Sequence, residues 1–303
     1  MDDTGNSIIK LLLYYDVFDH PLTKEEILLN CNLNGKSSDK TGILEEMTAK
    51  GLIYRLDGFY SVRDDPSLIE KRNNGNKMAA GFLPKAIKMA KFISAFPFIR
   101  SVSLSGSLSK NYMDTKTDID YFIIANPNRL WLARTILIMY KRIFLLNSHK
   151  YFCLNYFIDF EHLEIEQKNI FTATELFTLI PVTGKNYIQQ FIEANSWVKG
   201  YFQQYPFREI GSIEPDPDRI VKKTLEWILN HFFGNVLDIL AMKLTIKFWK
   251  RKYINDAKNL FDKSFRLKRY VAKYHPQNFQ ELVMDLYEQK VRKYERLKQL
   301  SLN

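Results

Sequence analysis

The chain has 303 residues, 46% of them apolar and 14% aromatic, with a formal net charge of +10. That length points to two or three domains, and that apolar content excludes a disordered chain. The charge is uneven: −5 over residues 1–66, +4 over 67–218 and +11 over 219–303.

The polar, acidic opening Met1-Asp2-Asp3-Thr4-Gly5-Asn6 does not read as a secretory signal. Cys31 and Cys153 lie far apart without metal-ligand spacing. That excludes a disulfide framework and fits a reducing, cytoplasmic location. Residues 8–18 predict an apolar helix carrying Tyr14-Tyr15. Thr23 caps a second helix and Glu26, three residues on, closes a capping box. Residues 37–50 predict a third helix, stopped by Gly51. Two β-rich runs, 52–56 and 59–62, flank Asp57-Gly58, a strong hairpin signal. Three helices followed by a hairpin resemble the winged helix-turn-helix superfamily over residues 1–66. The resemblance implies DNA binding through the third helix. Asp39, Glu45 and Glu46 on that helix, and the net −5, argue against it, because duplex binding rests on neutralising phosphates. Domain packing or protein interaction is the competing role.

Asn73-Asn74-Gly75-Asn76 reads as a polar linker, followed by a helix over 84–95 with Pro84 in its first turn. Residues 99–104, 121–124 and 151–158 predict short strands, with a helix over 128–146 between the last two. That alternation makes a small mixed α/β (α+β) sheet over residues 78–170. Beyond residue 172 only helices are evident, so 171–303 reads as a basic, helical C-terminal region. Residues 130–146 and 227–249 are apolar enough to test for membrane insertion. Arg134, Lys141 and Arg142 interrupt the first, and His231, Asn235, Asp238, Lys243 and Lys247 the second. Both read as amphipathic helices, with no membrane span.

The informative run is Ser103-Leu104-Ser105-Gly106-Ser107, ten further residues, then Asp118-Ile119-Asp120-Tyr121-Phe122-Ile123-Ile124. Gly106 lets the backbone turn and approach a phosphate that a Cβ would block. Ser107, at the start of the next helix, offers a hydroxyl and free N–H groups to phosphates. Asp118 and Asp120, two apart on a strand, point to one face and suit Mg²⁺ (or Mn²⁺). Ser109 and Lys110 add candidate phosphate contacts. The run resembles the signature of the polymerase β-type nucleotidyltransferase superfamily: a strand ending in Gly-Ser, a short helix, then Asp-x-Asp opening the next strand. The resemblance implies transfer of a nucleoside monophosphate from an NTP to a hydroxyl, with release of pyrophosphate. It also implies a third carboxylate, from a later strand, as base and metal ligand. Strict alternation puts Cys153, Asn155, Phe157 and Asp159 on one face of that strand. Asp159 is the candidate and Asn155 the competing occupant; an amide can hold a metal but cannot take a proton.

The acceptor is open: RNA, a protein or a small molecule. Lys247, Lys250, Arg251 and Lys252, then Arg266, Lys268, Arg269 and Lys273, could gather a polyanion such as RNA, dock the acidic N-terminal segment, or remain solvated. A non-catalytic nucleotide-binding protein and a DNA-binding regulator are the alternatives to an enzyme.

Overall fold

The computed structural model describes residues 3–31, 40–146, 150–206, 213–214, 220–231, 233–252, 265–274 and 279–302. The fold is mixed α and β, with two separate sheets. Helices α1 (Asp3–Asp16), α2 (Lys24–Asn30) and α3 (Lys40–Ala49) accompany strands β1 (Leu22–Thr23), β2 (Tyr54–Leu56) and β3 (Phe59–Ser61). The strands form a small antiparallel sheet in the order β1-β3-β2. The capping box is present: Thr23 Oγ1 accepts the Glu26 amide at 3.2 Å and Glu26 Oε2 accepts the Thr23 amide at 2.9 Å. Asp57 and Gly58 take φ of 46° and 84°, as a tight turn between right-twisted strands demands. Residues 37–39, where the predicted third helix begins, lie outside the described residues.

Helix α4 (Ser67–Ile93) then runs unbroken for 27 residues with Pro84 inside it. The predicted linker at 73–76 and the fresh helix from Pro84 are therefore corrected. Packing overrides the local breakers. Gly75 lies so close to the Tyr112 ring that a Cβ would stand 2.2 Å from it, and its carbonyl accepts the Met113 amide at 3.1 Å. Ala79, Ala86 and Ala90 extend the buried stripe.

The larger sheet contains β4 (Ile99–Ser105), β5 (Asp120–Ala125), β6 (Cys153–Asp159), β7 (Ile180–Thr183), β8 (Phe265–Lys268) and β9 (Val271–Tyr274), in the order β7-β4-β5-β6-β9-β8. Strands β5 and β6 are parallel and joined by α6 (Leu130–Phe144), the crossover that a parallel pair needs. Every other neighbouring pair is antiparallel. Strands β7, β8 and β9 correct the expectation of helices alone after residue 172. Each is four residues long, too short for a clear local pattern. Their place is set by the sheet they extend, and Arg266 and Lys268 lie on an edge strand where cations discourage further pairing.

The remaining helices are α5 (Gly106–Ser109), α7 (Ile170–Phe177), α8 (Lys185–Ala194), α9 (Ile220–His231), α10 (Gly234–Lys252) and α11 (Phe279–Lys298). Among the described residues, none is long and apolar enough to cross a membrane. One face of the sheet, with Tyr121, Ile123 and Phe157, shares a buried cluster with α6 and Ala241 of α10. The other, with Phe122, Ile124 and Ile158, shares a cluster with α1, α7, α8 and α11.

Helix α11 fastens the N-terminal helices to this second face. Lys290 Nζ lies 2.5 Å from the Asp16 carboxylate, the Tyr294 hydroxyl donates to the Leu52 carbonyl at 2.7 Å, and Lys298 donates to the Gly51 carbonyl at 2.6 Å. Asp16 is buried and also meets Arg63 Nε at 2.6 Å. Asp16→Asn leaves both cations facing a neutral amide, and is expected to lower folding stability by about 2 kcal/mol. Guanidinium denaturation measures this; an unchanged midpoint would mean that apolar contact alone holds α11.

Candidate functional site

Pairing of Ser105 with Asp120 across β4 and β5, and of Asp120 with Cys153 across β5 and β6, brings three strand ends together. Gly106, Ser107, Lys110, Asp118, Asp120, Cys153 and Asn155 all line one cavity of about 610 Å³. Gly106 has φ +67°, and a Cβ there would stand 2.3 Å from Asp120 Oδ2. Glycine is thus required twice, for the turn and for the approach.

Burial pushes the Asp120 carboxyl up to about 7; Glu175 and Asp118 add to the rise, and a hydrogen bond from the Cys153 thiol opposes it. The Cys153 thiol is itself pushed up, first by burial and then by Asp120. Lys110 Nζ sits 3.1 Å from the Gly106 carbonyl and 2.8 Å from Glu175 Oε1. Ser109, expected to touch phosphate, is instead buried beneath the turn, with its hydroxyl donated to the Gly106 carbonyl at 2.8 Å. It supports the turn and does not line the cavity.

The structure does not bring Asp159 to this site. Its register partner is Ala125, at the opposite end of β5 from Asp120. The register shifts between Tyr121–Leu154 and Phe122–Tyr156, leaving Asn155 as an extra residue. Such a bulge inverts the alternation beyond it. Tyr156 therefore lines the cavity while Phe157 packs in the opposite cluster. Asp159 is buried and accepts from the Glu161 amide at 3.1 Å, and its Oδ1 lies 2.7 Å from His162 Nδ1. Of the two competing residues, Asn155 is the one in the cavity.

Several cavity residues were not anticipated. Glu175 reaches in from α7, whose Asn169 cap accepts the Thr172 amide at 2.9 Å. Its signal was its isolation, as the only charged residue between Lys168 and Lys185. Tyr14, Tyr15 and Phe18 from the N-terminal segment, Phe122, Phe171 and Phe279 make an aromatic wall, with His20 and Lys71 nearby. Burial holds the His20 imidazole well below its usual range, and the cations Arg72, Lys110 and Lys71 lower it further. Lys273, on β9, is brought down to about 8 by burial and by Arg266. Arg266 and Lys268 pair with Glu166 at 2.8 and 2.9 Å, so the second basic cluster is divided between the cavity and a surface network.

Among the described residues, no three His, Cys, Asp or Glu side chains converge as a metal cage. Asp118, Asp120 and the Asn155 amide do offer hard oxygen donors in one cavity. Mg²⁺ is commonly held by one or two carboxylates together with water and substrate phosphates. A divalent cation would also stabilise the Asp120 carboxylate, which burial first and the nearby acids second hold toward its neutral form, so the donor chemistry fits Mg²⁺ or Mn²⁺.

No family model matches the chain, and no curated protein or solved structure is significantly similar to it.

Two outcomes follow from the geometry. Gly106→Ala is expected to cost on the order of 2 kcal/mol of stability, through both strain and contact with Asp120; thermal unfolding tests it. Asp120 has a folded-state value near 7 against an ordinary 3.8. Ionising it therefore costs the metal-free protein stability as pH rises through that window. Asp120→Asn should match the wild type below about pH 4 and exceed it by on the order of 2 kcal/mol at pH 8. Equal stability of the two at pH 8, in chelator, would contradict the assigned burial.

Proposed function

We propose that this chain is a nucleotidyltransferase of the polymerase β type, taking a nucleoside monophosphate from an NTP to a hydroxyl acceptor. The observation that carries the reading is Gly106, at positive φ against Asp120, with Ser107 and Asp118 in the same cavity. Asp118 and Asp120 would hold Mg²⁺, which when bound neutralises charge developing on the transferred phosphoryl group. Lys110 and Lys71 supply positive charge for the triphosphate, and Ser107 supplies a donor. The aromatic wall accepts a planar base or an apolar acceptor by stacking.

The proton of the acceptor hydroxyl needs a base within reach. Asn155 cannot take it. Asp114 lines the cavity, but its Oδ1 accepts the amides of Lys116 and Thr117, each at 2.8 Å. We assign the role to Glu175, which reaches into the cavity from α7 and pairs with Lys110 through Oε1 at 2.8 Å. The N-terminal helices and their small sheet read as a winged helix that walls the cavity. Exposed Glu45 and Glu46 on α3 speak against a DNA-reading role.

A non-catalytic nucleotide-binding protein is the second reading, favoured by Asn155 where a carboxylate of β6 would stand. Incubation with labelled NTPs, Mg²⁺ and a cell extract separates the two: the enzyme labels an acceptor, whereas a sensor binds NTP and labels nothing. For the enzyme, Asp118→Asn or Asp120→Asn should abolish Mg²⁺-dependent transfer with the fold intact. Glu175→Gln should slow transfer roughly 10²-fold, while Asp159→Asn leaves it unchanged. Full activity in both Asp118→Asn and Asp120→Asn would end the proposal.

A further inference from the structure

Helix α10 is apolar on both of its sides. Its inner side packs on α6: Asp238 Oδ1 accepts the Leu132 amide at 2.9 Å, and Ala241 and Trp249 are buried. Its outer side carries Val236, Leu240, Leu244 and Phe248, at four-residue spacing and 51%, 49%, 66% and 52% exposed. Residues so spaced stack along one helix face. An exposed row of large apolar side chains of this kind marks an interaction surface. On the neighbouring helix α6, Arg142 lies over the Phe248 ring at 5.6 Å, and the residues after it, Ile143 and Phe144, are 62% and 67% exposed.

The same outer face is cationic. Lys243, Lys247, Lys250 and Arg251 are exposed, and none has an ion-pair partner among the described residues. The single acid of α10, Asp238, is buried on the inner side. The acidic N-terminal segment does not cover these cations, because it docks on Lys290 of α11.

We infer that the outer face of α10, with the adjoining end of α6, lies flat on an anionic lipid surface. The apolar stripe enters the boundary between headgroups and acyl chains. The lysine stems run along that boundary and bring their ammonium groups to the lipid phosphates. Charge complementarity selects this occupant. A second copy, paired about a two-fold axis, would set the same four cations against one another. A nucleic acid would satisfy the cations and leave the Leu and Phe side chains without an apolar partner. The cavity lies on the other face of the sheet, so it stays open when the protein is docked.

The test is co-sedimentation of the full chain with phosphatidylcholine vesicles and with phosphatidylcholine vesicles carrying phosphatidylglycerol. Binding is expected only to the anionic vesicles, and is expected to weaken with added salt. Combined Lys243→Glu, Lys247→Glu, Lys250→Glu and Arg251→Glu should weaken it about ten-fold or more. Combined Leu244→Ser and Phe248→Ser should do the same at unchanged net charge. All six side chains point outward, and matching circular dichroism confirms the fold; the single Leu244→Ser variant serves if either combination unfolds. Absence of binding to anionic vesicles overturns the inference. So does loss on charge reversal with no loss in the Ser variants, which is the behaviour of a bare polyanion site. A concentration-dependent dimer by light scattering that the Ser variants dissociate would give the face to a second copy instead.

Discussion

The contact between Gly106 and the Asp120 carboxylate constrains everything around it. The chain leaves β4 in the left-handed region and passes so close to β5 that no side chain fits between. Ser109 and Lys110 both bond back to the Gly106 carbonyl, which holds the turn from below and from the cavity side. The β4–β5 register then sets Asp120 beside that turn, while Asp118, expected on the same strand, lies two residues before β5 begins and still lines the cavity. An ionisable group crowded by backbone and by other acids resists its own charge, and burial with Glu175 and Asp118 pushes Asp120 up to about 7. A site that tolerates such a penalty is one in which a cation or a ligand can repay it.

Around this contact the cavity is assembled from distant parts of the chain. The N-terminal helices contribute Tyr14, Tyr15 and Phe18, α7 contributes Glu175, β9 contributes Lys273, and α11 begins at Phe279. The opposite charges at the two ends of the chain help to explain why these parts meet. Asp16 is buried between Arg63 and Lys290, and α11 adds two further bonds to the backbone at Gly51 and Leu52. Part of the C-terminal positive charge therefore serves internal docking. The part on the outer side of α10 does not.

A single extra residue separates the observed site from the expected one. Alternation along β6 would carry Cys153 and Asp159 to the same face. The bulge at Asn155 reverses the strand beyond it, so Tyr156 faces the cavity and Asp159 turns to His162. The carboxylate that remains in reach, Glu175, stands on a helix.

The sequence by itself determined the local features whose physics is local. The capping box at Thr23 and Glu26, the Asp57-Gly58 turn, the strands leading to Gly106 and from Asp120, and the crossover helix between β5 and β6 were all legible. Each rests on hydrogen bonds or steric limits within a few residues. Only the tertiary structure decided what depends on partners far along the chain. Helix α4 ignores a Gly and a Pro because Tyr112 and the sheet pack against it. Four-residue strands β7, β8 and β9 exist because the sheet has edges to extend. The β6 bulge, the burial of Ser109 and the entry of Glu175 into the cavity are likewise consequences of packing, since no spacing rule within one segment records which distant surface it will meet.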